Sequence, residues 1–124
     1  MKVFVTGPVP EAGLAVLRQA PEVEVIRNRS AHRPTSAELL EGARGCSAVL
    51  SMLYDPLDRG TIEALHAHGV GVIANFAVGY DNIDVEAATS LGVAIVHTPG
   101  VLTEATADLA WALILGGARR VGQG

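Results

Sequence analysis

Two stretches of this 124-residue sequence carry residues whose types and spacing could bind a small anion. The first, residues 75–84, reads NFAVGYDNID and follows a short apolar run. A glycine directly after a strand lets consecutive backbone N–H groups converge on an anion. The alternative is a tight turn between a strand and a helix, with Asp84 as the helix cap. The spacing alone leaves both interpretations open.

The second stretch, residues 97–108, reads HTPGVLTEATAD and places a Pro-Gly turn before the start of a helix. The free N–H groups and the positive end of the helix dipole would favour a carboxylate, a phosphate or a polarised amide there. The alternative is a plain helix start, with Thr103 as the N-cap and acidic residues in the first turn. Spacing does not separate these two interpretations either.

Four other reactive side chains and one turn are weaker candidates. His66 and His68 are two residues apart, so on a helix they point in different directions, and we predict no metal site. We expect His97 to be hydrogen-bonded at a strand end rather than catalytic. Cys46, flanked by small residues, is predicted to be a buried thiol with no nucleophilic role. The turn at residues 6–10 (TGPVP) lacks the N–H donors that a phosphate cradle needs, because two of its residues are prolines.

Length and composition indicate one globular domain over residues 1–124. Hydrophobic residues make up 49% of the chain and charged residues 18%, which is too apolar for a disordered segment. The net charge is −4 and the basic residues form no patch, so we expect no nucleic-acid partner. The longest apolar run, residues 109–115, is too short to span a membrane. A single cysteine and the lack of a leader at the N-terminus favour a cytoplasmic protein.

Apolar runs and turn residues predict five strands that alternate with helices. We place the strands at residues 3–5, 23–26, 48–51, 70–74 and 93–96, and the last helix at about 103–120. We expect Asp58 and Asp84 to cap the helices that follow the third and fourth strands, and Gly92 to end the second of these helices in the left-handed conformation. Continuous rather than alternating apolar strands indicate an α/β fold, with a parallel sheet and helices on both faces. Five such units favour the doubly wound order 2-1-3-4-5. The loops after the first, third and fourth strands would then open into one crevice.

Several motifs taken together resemble the D-2-hydroxyacid dehydrogenases. They are VGYDNID at 78–84, the alanine pair at 87–88, Gly-Val at 92–93, Thr-Pro-Gly at 98–100 and Thr-Ala-Asp at 106–108. The string TPGVLTEATAD is most similar to the glyoxylate/hydroxypyruvate reductase branch. The resemblance covers essentially the whole chain and is closest between residues 72 and 120. It implies a flavodoxin-like sheet paired with a separate Rossmann domain, NAD or NADP as the cofactor, and a small 2-oxoacid substrate such as glyoxylate or hydroxypyruvate.

The resemblance also implies site residues. The backbone amides of Val78 and Gly79 match positions that hold the substrate carboxylate, and Leu53 matches the opposite wall of the pocket. Thr106 matches a position that faces the nicotinamide side of the cleft. The family's catalytic Arg, Glu and His, and its G-x-G-x-x-G turn, belong to the dinucleotide-binding domain, which we expect to be absent from these residues. We therefore predict no catalytic residue here and an isolated chain that is inactive.

Two alternatives from other classes compete with this interpretation. One is a free-standing or engineered flavodoxin-like module for ligand binding. A receiver domain is excluded because Thr6 and Ser51 occupy positions where it needs acidic residues, and a flavodoxin needs a phosphate loop that residues 6–10 do not provide. The other is a structural role for the last helix, which is apolar all round near Trp111 and is expected to be buried. It could fold back onto its own sheet or pack against another copy, and we favour the homodimer.

Overall fold

In the described residues, five strands alternate with five helices. The computed structural model describes residues 1–30 and 32–123. The strands are β1 (Lys2–Val5), β2 (Glu24–Arg27), β3 (Ala48–Met52), β4 (Val72–Phe76) and β5 (Ala94–Val96). The helices are α1 (Glu11–Arg18), α2 (Ser36–Gly42), α3 (Arg59–Ala67), α4 (Val85–Leu91) and α5 (Thr103–Ala118), and a 3-10 turn at Val121–Gln123 follows.

The five strands form one parallel sheet in the order β2-β1-β3-β4-β5, which confirms the predicted doubly wound fold. The chain runs from β1 outward to β2 and then crosses back to β3, β4 and β5. Because crossovers between parallel strands are right-handed, the reversal places α1 on one face and α2, α3 and α4 on the other.

The main core lies between the sheet and the helices α2, α3 and α4. Alternate strand residues such as Phe4, Val49 and Ile73 point into it and are almost fully buried. Gly42 of α2 approaches the sheet closely, because a Cβ atom there would lie 2.2 Å from Cζ of Phe4. The close packing of this face fixes the carboxyl ends of β3 and β4, where the candidate site is built.

The helix ends follow the predicted capping residues. Asp58 and Asp84 are N-caps of α3 and α4, and Gly92 ends α4 in the left-handed conformation with a φ of 72°. The backbone N–H of Thr61 donates to Oδ1 of Asp58 over 2.8 Å. Hydrogen bonds from the Thr61 backbone and side chain hold the pKa of Asp58 below its usual range. Side-chain caps of this kind set where the short helices start.

The predicted start of β4 is wrong by two residues. The strand begins at Val72, whereas the apolar run begins at Val70. The N–H of Val70 donates to the carbonyl of Leu65 over 3.1 Å, and Gly69 before it has a φ of 98°. Val70 therefore belongs to the motif that closes α3, where an apolar residue after a left-handed glycine packs back on the helix.

Helix α5 departs most from the predictions. It ends at Ala118 instead of near residue 120, and Leu102 rather than Thr103 is its N-cap, with no side-chain cap bond. None of its residues is buried, and Trp111 and Leu113 are 63% and 67% exposed. The alternative in which α5 folds back onto its own sheet is therefore wrong for the described residues, whereas its burial against another copy stays a prediction. An apolar surface on a helix indicates that the helix packs against a partner, but it does not identify that partner.

The sheet also has an uncovered apolar area, which lies on the face that carries α1. There α1 covers β1 and its neighbours, burying Leu14 completely. Over β4 and β5, however, Phe76 and Val96 are 45% and 52% exposed.

Among the described residues, every helix is either too short or too polar to span a membrane.

Candidate functional site

The loop that follows β4, residues 77–83, is held in place by hydrogen bonds to three consecutive backbone carbonyls. The Ala77 carbonyl accepts from both the backbone N–H and the hydroxyl of Thr98, each over 3.0 Å. The Val78 carbonyl lies 2.8 Å from Nδ1 of His97, and the Gly79 carbonyl accepts from Nδ2 of Asn75 over 3.0 Å. The loop is therefore fixed through its oxygens.

This arrangement determines where the loop's N–H groups point. In a planar trans peptide the carbonyl of one residue and the N–H of the next point in opposite directions. The N–H groups of Val78 and Gly79 therefore point away from Thr98 and His97, and neither donates to a partner in the described part of the chain. Two adjacent unpaired donors of this kind can bind an anion. The predicted Asp84 cap is present, since its side chain accepts from the Ala87 N–H. The unpaired N–H groups of Val78 and Gly79 are compatible with that cap, and anion binding by them stays a prediction.

A buried polar network joins the β4 loop to the loop after β3. The Asn75 side chain is almost fully buried and accepts from the hydroxyl of Ser51 over 3.0 Å. Its Nδ2 also donates to Oδ1 of Asn82 over 3.1 Å. Asn82 in turn donates to the carbonyls of Met52 and Asp55 over 3.2 and 3.1 Å. The two loops are thus fixed relative to each other by satisfied hydrogen bonds.

A pocket of about 670 Å³ opens between these loops. Leu53 lines it from the β3 loop, and Val78 and Gly79 line it from the β4 loop. The remaining lining residues are Phe76, Ala77, Asp81, Asn82, Thr98, Val101 and Leu102. The sequence-predicted residues Leu53, Val78 and Gly79 therefore meet in one pocket. Its size suits a small organic ligand with room for part of a second one.

The walls of the pocket are mostly apolar. Among the described residues that line it, Asp81 is the ionisable one, and no lysine or arginine is present. The described lining residues therefore offer a bound anion no side-chain cation, while the N–H groups of Val78 and Gly79 are free to donate. Low polarity around these donors strengthens such bonds. No group of three or more His, Cys, Asp or Glu side chains that could hold a metal ion occurs among the described residues.

Thr106 lies outside this pocket. It lines an adjoining, shallower depression of about 480 Å³ together with Val78, Leu102 and the first turns of α5. Val78 and Leu102 border both spaces, so the depression and the pocket adjoin each other. The described residues that line this depression form one wall of it.

The expected single crevice is divided in two. The β1 loop lines a separate space of about 400 Å³ with Tyr54 and residues that follow β2. The cause is the buried side chain of Asp55, which accepts from the hydroxyl of Thr6 and from the N–H of Met52. This contact closes the gap between the β1 and β3 loops. The prediction that the β1 loop shares the ligand crevice is therefore wrong.

Several residues that organise the site were not predicted to have a role. Asn75, Asn82 and Asp55 form the network above, and the sequence shows only that polar residues follow the strands. The predicted hydrogen bond of His97 at a strand end is confirmed, although its partner could not be predicted. Cys46 is buried, as predicted, and burial raises the pKa of its thiol.

Comparison with known families connects this site to a group of enzymes. Residues 3–113 match the model of the D-isomer specific 2-hydroxyacid dehydrogenase catalytic domain. The chain belongs to this family. That membership confirms the resemblance found in the motifs of residues 78–108.

Individual relatives agree with the family assignment. The chain is 46% identical over 120 residues to the glyoxylate reductase of Thermococcus onnurineus, covering 97% of this chain and 35% of the relative. The crystal structure of a D-isomer specific 2-hydroxyacid dehydrogenase from Polaromonas shares 34% identity and a TM-score of 0.78, covering 93% of this chain and 35% of that one. A glyoxylate reductase from Paecilomyes thermophila shares 28% identity and a TM-score of 0.75, covering 98% and 42%. The chain thus spans about a third of the length of its family relatives.

Proposed function

We propose that residues 1–124 form the substrate-binding domain of an NAD(P)-dependent D-2-hydroxyacid dehydrogenase that reduces a small 2-oxoacid such as glyoxylate or hydroxypyruvate. The observation that carries the proposal is the pair of unpaired N–H groups at Val78 and Gly79, two residues that line a mostly apolar pocket. Two such donors match the two oxygens of a carboxylate. Leu53 on the facing wall would contact the rest of the small substrate.

In this proposal the domain binds and orients the substrate while another part of a longer protein supplies the chemistry. A nicotinamide cofactor, when bound, would donate the hydride to the 2-oxo carbon. Within this chain, the N–H groups would fix the carboxylate, Leu53 and Phe76 would exclude water, and Thr106 would face the cofactor side. Holding reactants in this way contributes to catalysis without any proton transfer by the domain itself. The isolated chain is therefore expected to show no reductase activity.

We also propose that α5 is covered by a second copy of the chain in a homodimer. The support is the extent of the uncovered surface, since Leu109, Trp111, Leu113, Ile114 and Leu115 are all about 60% exposed or more. Burying one large apolar side chain stabilises a protein by about 1.5–3 kcal/mol. An exposed apolar surface on this scale is typical of an interface.

The binding proposal is tested by titrating the labelled chain with oxalate, a non-reducible dicarboxylate, and following backbone amide signals by NMR. We expect shifts at Val78 and Gly79 at millimolar concentrations, because only part of the site is present. Residues 6–13 serve as the internal control, since the β1 loop lines a different space. Shifts confined to residues 6–13 would contradict the proposal.

A substitution that adds a charge to the pocket wall tests whether the carboxylate binds in this pocket. Leu53 is 64% exposed, so its substitution leaves the core intact. Leu53→Asp places a negative charge on the wall facing the proposed carboxylate, whereas Leu53→Asn has nearly the same shape without the charge. We expect the aspartate variant to bind oxalate more weakly than the asparagine variant, and the difference to shrink at high salt. Equal affinities would show that the anion binds elsewhere.

A further inference from the structure

The imidazole of His97 occupies a specific position relative to the pocket. Its Nδ1 lies 2.8 Å from the Val78 carbonyl oxygen, at the rim of the β4 loop. A carbonyl oxygen can only accept a hydrogen bond, so Nδ1 must carry the proton in this contact. The Gly79 N–H belongs to the same peptide unit and points in the opposite direction. The histidine therefore determines the direction of the Gly79 N–H through one rigid peptide.

The neighbouring peptides are fixed by other groups. Thr98 holds the Ala77 carbonyl with two hydrogen bonds, and Asn75 holds the Gly79 carbonyl with one. The peptide between Val78 and Gly79 is the middle one of the three, and His97 is the residue that contacts its oxygen. Without this contact the middle peptide could rotate while the loop stays attached at both ends.

The histidine ring is itself held in orientation. The rings of Tyr80 and His97 meet edge to face, with centroids 5.2 Å apart and planes inclined at 75°. This packing is a favourable aromatic geometry. It leaves Nδ1 directed at the Val78 carbonyl, so the donor is aligned before any ligand arrives, which lowers the cost of binding.

We propose that His97 is a positioning residue for the substrate carboxylate, acting through the Val78 carbonyl to direct the Gly79 N–H into the pocket. This inference rests on the proposed function, since it assigns the Gly79 N–H to the substrate. His97 does not touch the substrate in this arrangement. It sets the direction of a donor that does.

Three variants of the full-length protein that contains this chain separate this role from others. Asparagine places its amide nitrogen the same number of bonds from Cα as Nδ1, so His97→Asn keeps the donor to Val78. Glutamine places its nitrogen where Nε2 lies, so His97→Gln keeps polarity and size but loses that donor. His97→Ala removes both the donor to Val78 and the polar side chain. We expect KM for glyoxylate to rise about five- to tenfold in His97→Ala and His97→Gln, the effect of losing one hydrogen bond. In His97→Asn we expect KM within about twofold of the parent.

A purely structural role predicts a different pattern. His97 is only half-buried and Thr98 still holds the loop, so we expect similar unfolding temperatures in all three variants. If the rise in KM parallels a fall in unfolding temperature, or if His97→Gln and His97→Asn have the same KM, the positioning role is refuted. A fall in kcat with unchanged KM in all three would also refute it.

Failure of the proposed function has a separate signature. If the parent protein neither binds oxalate nor reduces a 2-oxoacid, the carboxylate assignment is wrong. The geometric part is then judged by ¹⁵N NMR of the labelled imidazole, which needs no ligand. A signal for protonated Nδ1, together with a Gly79 amide shift that changes in His97→Gln but not in His97→Asn, supports the contact. A neutral ring protonated only at Nε2 overturns it.

Discussion

Replacing Asn75 should reveal how far the site depends on buried hydrogen bonds. The side chain is 2% exposed and makes three hydrogen bonds of 3.0–3.1 Å, to Ser51, Gly79 and Asn82. A hydrogen bond contributes about 1 kcal/mol net, so Asn75→Ala should lower the free energy of unfolding by about 3 kcal/mol. That is a large share of the roughly 5–15 kcal/mol that stabilises a domain. Urea denaturation of the chain measures the loss, and a loss below about 1 kcal/mol would refute the reasoning.

Asn75→Asp gives a second test with almost unchanged shape. The two groups that accept from Asn75 Nδ2, the Gly79 carbonyl and Oδ1 of Asn82, would then face a carboxylate. Turning the Asn82 amide cannot relieve this, because its nitrogen already donates to the Met52 and Asp55 carbonyls. Burial and these acceptors should raise the folded pKa of the new carboxyl above its unfolded value of about 3.9.

The sign of the pH dependence follows from that shift. Between the unfolded and the raised folded pKa, the folded state binds more protons, so stability falls as pH rises through this window. We expect the Asn75→Asp variant to be closer to the parent in stability at pH 5 than at pH 7. Ser51→Ala is the matched control, since it removes one bond to Asn75 and should cost about 1 kcal/mol at both pH values. A pH-independent loss in the aspartate variant would show that the new carboxyl reaches solvent.

Three further outcomes are expected. Sedimentation over a concentration series should show self-association that Trp111→Glu abolishes, and a strict monomer at high concentration would contradict the dimer. Asp58→Ala should destabilise the chain at neutral pH, whereas Asp58→Asn should keep the cap to Thr61. Because the fold lowers the pKa of Asp58, the stabilising effect of this carboxylate is present above its unfolded pKa and is lost as the pH falls through its folded pKa. Acid titration should therefore reduce the difference in unfolding free energy between the parent and Asp58→Ala. The buried Cys46 thiol, with its raised pKa, should react with iodoacetamide only at the rate of opening or unfolding, and rapid labelling of the native chain would contradict its burial.

Local sequence signals were sufficient for the helices and strands and for the family. Apolar runs bounded by turn residues located all five strands, and the caps at Asp58, Asp84 and Gly92 are confirmed because capping depends on residues a few positions apart. The strand order followed from the repetition of strand and helix with parallel character. The motifs at residues 78–108 identified the family, which the match to the family model confirms.

Contacts between distant residues were decided only by the tertiary structure. The hydrogen bond between Thr6 and Asp55, 49 positions apart, closes the β1 loop off from the pocket, and no local pattern signals it. The bond from His97 to Val78 depends on the parallel register of β4 and β5, which sets the two loops side by side. Helix α5 likewise separates what the local sequence determines from what tertiary contacts decide. Its sequence determines an apolar helix, but whether that surface is covered depends on a partner surface, and none of the described residues provides one.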